Sequence, residues 1–143
     1  TTAGGDSGAV HSTVKSRWLE RDPELVAGMA LLAGLADEAV LCLQRGDKAA
    51  LAGLMEQNFN TRLRLYGPDV VGRKNKLMVE LSASLQMSAK FTGSGGALVC
   101  LRRDGKGWWS AEEEANIRDQ YASHGFAFER IIIPDSTQHG SSA

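Results

Sequence analysis

A chain of 143 residues, 43% hydrophobic, with a formal net charge of −1, has room for one packed core and excludes wholesale disorder. Its charges are balanced and no block of one sign occurs, which argues against a nucleic-acid or membrane-surface partner. Polar or charged residues interrupt every apolar run, so no bilayer span and no secretory signal is expected. Cys42 and Cys100 each lie in an apolar run and read as small hydrophobes, not a disulfide framework, so a reducing, cytoplasmic compartment is expected. The first residue is Thr1, not Met, which reads either as a removed start or as a start inside a longer reading frame.

Residues 1–12 and 135–143 are rich in small polar residues and read as a flexible lead-in and tail around one ordered domain, 13–134. Asp22-Pro23 is a helix start, with Asp as N-cap and Pro in the first turn. Leu25, Met29, Leu32, Ala36, Ala39 and Leu43 follow at helical spacing. Leu31, Leu35 and Cys42 fall on another face, so this helix is expected to be buried on much of its circumference. Gly46 stops it and Asp47 caps a second helix from about Lys48 to Tyr66, which Gly67-Pro68-Asp69 ends. A third helix is expected from about Arg73 to Gln86, carrying Leu77, Met78, Leu81 and Leu85.

The pattern then changes. Residues 88–92 lead into Gly93-Ser94-Gly95-Gly96, and the apolar run 97–101 reads as a strand ended by a turn at Arg102–Gly105. Ser110 and Glu113 form a capping box for a further helix, closed by His124-Gly125. Phe126–Ile133 is rich in Phe and Ile and reads as a third strand. The predicted class is α+β, with helices on one face of a small antiparallel sheet.

Two local patterns could carry chemistry. Thr92-Gly93-Ser94-Gly95-Gly96 is the stronger: glycines allow a tight turn and close approach, and successive peptide N–H groups can cup a phosphate oxygen. Lys90 could add positive charge there. No Gly-Lys-Ser/Thr follows, so this is no Walker loop, and a strand follows where a dinucleotide fingerprint needs a helix. A glycine-rich connection between helix and sheet accounts for the same run. The second pattern is Asn58 and Arg62, one turn apart on the apolar stripe of Leu51, Leu54, Met55 and Leu65. Polar residues so placed either tether the helix internally or face a cleft. No catalytic residue and no metal-ligand spacing is apparent.

The segment Lys90–Ala97, with its Phe-Thr-Gly-Ser-Gly-Gly-Ala core, resembles the third conserved motif of the GHMP kinases in the form found in plant-type glucuronokinases. Val10–Leu19 is similar to the segment that precedes the first helix of their C-terminal domain. Asn58–Gly67 is similar to their Asn-Phe-x-x-Arg-Arg-x-x-Phe-Gly helix, with departures at Leu63 and Tyr66. The resemblance implies a GHMP kinase C-terminal domain, ferredoxin-like in fold. It implies ATP-dependent phosphorylation of D-glucuronate to the 1-phosphate with Mg²⁺. Lys90, Thr92, Gly93, Ser94, Gly95 and Gly96 would then border the phosphates, and Asn58 and Arg62 the sugar acid. An N-terminal GHMP kinase domain would supply the nucleotide's main site and the catalytic carboxylate, so this chain alone is expected to be inactive. Two other readings stand beside it: a free-standing α+β binding module without catalysis, and a domain of a galactokinase-like or mevalonate-branch kinase.

Overall fold

The computed structural model describes residues 7–93 and 95–133. It divides into two compact units between Trp108 and Trp109. The first contains helices α1 (Ser7–Leu19), α2 (Pro23–Arg45), α3 (Lys48–Tyr66), α4 (Pro68–Val71) and α5 (Arg73–Ser84), then strands β1 (Met87–Phe91) and β2 (Leu98–Arg102). The second contains α6 (Ala111–Ser123) and the segment that follows it. The fold is helix-rich with a small antiparallel sheet, as the α+β expectation required.

The punctuation residues act as the sequence indicated. The Asp22 carboxylate accepts from the N–H groups of Glu24 and Leu25, and Gly46 closes α2 in the left-handed conformation at φ 68°. Asp47 accepts from the Ala50 N–H to start α3. Gly67 ends α3, and the following Pro68 opens the short α4, a turn the sequence reading did not contain. Ser110 and Glu113 form the expected capping box of α6. Helix α1 is one the sequence reading did not contain: Ser7–Leu19 takes in part of the expected lead-in and the Val10–Leu19 segment read as preceding the first helix, while residues 1–6 and the expected tail 135–143 lie outside the described residues.

Helix α3 is the middle layer of the first unit: it packs against α2 on one side and β1 on another. The α2 contact is close because Gly28 has no side chain. A Cβ there would stand 2.5 Å from the Leu65 methyls. Arg17 fastens the end of α1 to this pair, through Asp22 at 2.6 Å and the Leu65 carbonyl. On the sheet side, Phe59 meets Phe91 edge-on, ring centroids 5.4 Å apart, with Val71 completing the cluster. Helix α5 also packs on β1.

Three expectations change. Helix α2 is not buried on much of its circumference: Leu25, Gly28 and Leu35 are buried, but Leu31, Val40, Leu41 and Leu43 are 44–66% exposed. By length and composition α2 is also apolar enough to cross a membrane, contrary to the expectation that no run would be. That likeness is weak evidence of a span, since a core helix passes the same test, and Asp37-Glu38 interrupt it. Finally, Phe126–Ile133 is not a strand. Phe128 instead folds back on α6, its ring 5.3 Å from Tyr121 and its carbonyl bonded by Arg118, while Ile131–Ile133 are exposed. Strand propensity is realised only when a segment pairs with a neighbouring edge, and Phe126–Ile133 pairs with none of the described strands. Neither cysteine is in a disulfide and both are half-buried, with Cys100 Sγ 3.6 Å from Ser82 Oγ.

Two substitutions test this packing by urea unfolding. Gly28→Val should cost about 1–3 kcal/mol by driving α2 off Leu65. Phe59→Ala should cost about 3–5 kcal/mol by opening the helix–sheet core. Wild-type midpoints in either variant would contradict the layer order.

Candidate functional site

The glycine run closes a β-hairpin. Strands β1 and β2 pair antiparallel from Met87↔Arg102 to Phe91↔Leu98, leaving Thr92–Ala97 as the loop. The Thr92 N–H and hydroxyl both approach the Ala97 carbonyl at 3.4 Å, across the loop's neck. Gly95 and Gly96 have φ values of 129° and 82°, a region that side-chain-bearing residues rarely adopt. The run therefore joins strand to strand, not helix to sheet. Ser94 lies outside the described residues.

Helix α3 brings the second sequence pattern to this loop. The Arg62 guanidinium Nη1 donates to the Gly93 carbonyl at 2.9 Å. The two patterns, some thirty positions apart in sequence, thus meet at one end of the hairpin. Two buried polar atoms on α3, Asn58 Oδ1 and Arg62 Nε, have no hydrogen-bond partner. A buried acceptor and a buried donor left open one turn apart are costly unless a ligand or neighbour completes them.

Lys90 stands at the entrance. Its Nζ donates to the Phe91 carbonyl at 2.7 Å, beside the loop. Burial, and secondarily the Arg62 guanidinium, hold the Lys90 ammonium below the usual lysine value of 10.5. Two cations held at one loop with partial desolvation favour an anion between or beside them.

A residue that sequence reasoning missed organises the other side of the loop. Asn75, in the first turn of α5, is 1% exposed. Its Nδ2 donates to the Val71 carbonyl at 2.8 Å and its Oδ1 accepts from the Gly96 N–H at 2.9 Å. The signal was present in the sequence: Asn75 shares a helical stripe with the buried Met78 and Ser82, as Asn58 does with its apolar neighbours. The Gly96 N–H is accordingly engaged within the protein, so not every loop amide is open to a ligand. The side chains bonded to the loop and its entrance are Arg62, Lys90 and Asn75. None is a carboxylate, and the two cations among them suit phosphate oxygens and not a divalent cation. Among the described residues no group of three His, Cys, Asp or Glu could hold a metal.

A separate cleft of about 310 Å³ lies between α3, α5 and the strands. Phe59, Leu63, Val79 and Met87 line it, and none of the sequence-predicted site residues do. Its rim charges satisfy one another: Arg103 meets Glu56 at 2.6 Å and Lys76 meets Glu80 at 3.6 Å. The open buried polar atoms lie on α3 at Asn58 and Arg62, which do not line this cleft.

With this geometry in view, comparison with known proteins is informative. The chain is 43% identical over 100 residues to probable glucuronokinase 2 of Arabidopsis thaliana, covering 70% of this chain and 27% of that protein. It is 40% identical over 136 residues to glucuronokinase 1 of the same plant, covering 95% of this chain and 36% of that protein. The chain is homologous to the glucuronokinases. Its matched regions span 27% and 36% of the length of these curated relatives. No family model and no solved structure matches it. The relationship is thus to a sugar kinase, and the matched region is a minor part of one.

The Lys90 environment gives a pH prediction with a definite sign. Folding disfavours the charged ammonium, so the penalty applies at neutral pH and is relieved as pH climbs through the depressed folded value toward 10.5. Relative to Lys90→Met, the wild type should gain stability over that rise, measured by urea unfolding at stepped pH. A difference that stays flat would show that Lys90 is fully solvated.

Proposed function

We propose that this chain is the C-terminal domain of an ATP-dependent kinase that phosphorylates D-glucuronate at its anomeric carbon, giving the 1-phosphate. The observation that carries the reading is the Arg62–Gly93 hydrogen bond, which joins the α3 pair to the glycine loop in a chain homologous to glucuronokinases. Lys90 and the loop residues Thr92, Gly93, Ser94 and Gly95 border the ATP phosphates. Gly96 serves the loop's own architecture through Asn75. Asn58 Oδ1 and Arg62 Nε, the open acceptor and donor, face the sugar acid, whose hydroxyls and carboxylate match them.

Phosphoryl transfer needs positioning and charge neutralisation around the phosphate more than covalent help from the protein. This chain supplies positive charge and backbone donors at the phosphates and an orienting pair at the sugar. Mg²⁺ accompanies the ATP and takes its protein ligands from outside this loop. The catalytic base and the main nucleotide site belong to an N-terminal GHMP kinase domain, the partner of this one. The chain alone is inactive, and the enzyme works in the cytoplasm.

The test is an ADP-release assay on the longest native polypeptide that carries this sequence, with glucuronate, galactose and mevalonate offered in parallel. Turnover with glucuronate, absent from the isolated chain, supports the reading. In that polypeptide Arg62→Ala should lower kcat/KM for glucuronate by about 10²-fold, the loss of a charged hydrogen bond. Preference for galactose or mevalonate would place the chain in another branch. No turnover with any of them would leave a binding module.

A further inference from the structure

We propose that Asn75 is a positioning residue that sets the conformation of the glycine loop and through it the loop's hold on phosphate. This inference rests on the kinase reading for its phosphate half only.

Both ends of the Asn75 side-chain amide bond to backbone groups. Its amide nitrogen is spent on Val71, the last residue of α4, and its amide oxygen on Gly96 in the loop. Only one orientation of the amide satisfies both, because Val71 offers an acceptor and Gly96 a donor. The residue therefore spans two segments that are not neighbours in sequence: the α4–α5 corner and the tip of the hairpin. With 1% exposure it cannot exchange these partners for water, so its bonds are costly to leave unmade.

The loop is shaped around this side chain. A Cβ on Gly95 would stand 2.5 Å from Asn75 Nδ2, so the absence of a side chain at Gly95 is what lets the amide reach the Gly96 N–H. Gly95 and Gly96 both hold positive φ, which the pinned N–H helps maintain. At the loop's other end, Arg62 binds the Gly93 carbonyl. The loop is thus fixed from both sides, by a cation that can also meet a ligand and by a buried amide that cannot. An aspartate at position 75 would lose the donor to Val71. A leucine would lose both bonds.

Amide hydrogen exchange on the 143-residue chain tests the pin. In Asn75→Ala, exchange of the Gly96 N–H should accelerate about tenfold or more beyond any change in the α3 core amides. Should Asn75→Ala fail to fold, Gly95→Ala provides the second arm. It keeps Asn75 and displaces it from the loop side, and should likewise speed Gly96 exchange ahead of the core. Gly96 exchange that is unchanged, or that rises only in step with the α3 amides, overturns the proposal, since Asn75 would then contribute to stability alone. In the longest native polypeptide, Asn75→Ala should raise KM for ATP about tenfold while KM for the sugar acid holds. Faster Gly96 exchange with an unmoved ATP KM would overturn the phosphate role of the loop and leave the pin standing.

Discussion

The edge-on contact of Phe59 with Phe91 fastens the helical layer to the sheet, and the position of every candidate site residue follows from it. Phe59 is on α3, and Phe91 is the last residue of β1 before the glycine loop. Once the two rings are packed, Asn58 sits beside one and the loop entrance beside the other. Arg62, one turn beyond Asn58, then reaches Gly93. An apolar pair therefore sets the geometry of the polar one. Close packing transmits position in a way that surface charges cannot.

The same helix carries a second constraint. Its opposite side must accept α2, and that approach is set by Gly28 against Leu65. Arg17 binds the Leu65 carbonyl and Asp22 together, so the end of α1, the start of α2 and the last turns of α3 share one ionic knot. Arg17 also holds the Asp22 carboxyl below its usual range, chiefly through their hydrogen bond. The far side of α2 is different, since Leu31, Val40, Leu41 and Leu43 remain exposed. A helix with two apolar faces has only one of them used within the described residues.

Much of the local structure was legible because it depends on neighbours in sequence. The Asp22, Asp47 and Ser110 caps, the Gly46 stop and the Gly67-Pro68 break are interactions within one or two turns, and each formed as read. The antiparallel sheet was legible, although the glycine run that joins its strands read equally as a link from helix to sheet. The third strand was not. Phe126–Ile133 has the composition of a strand, yet Arg118 and Tyr121 hold Phe128 against α6. Composition records a preference for pairing but not whether the segment finds a partner.

The sequence by itself determined the caps and stops of α2, α3 and α6 and the two motifs that could carry chemistry. These rest on capping, periodicity and glycine's backbone freedom, all local properties. Only the tertiary structure decided that Arg62 meets Gly93, that Asn75 fills the space beside Gly95, and that α2 leaves one apolar face uncovered. Those outcomes depend on residues 20 or more positions apart. They are fixed by which surfaces pack and how closely, which no local pattern records.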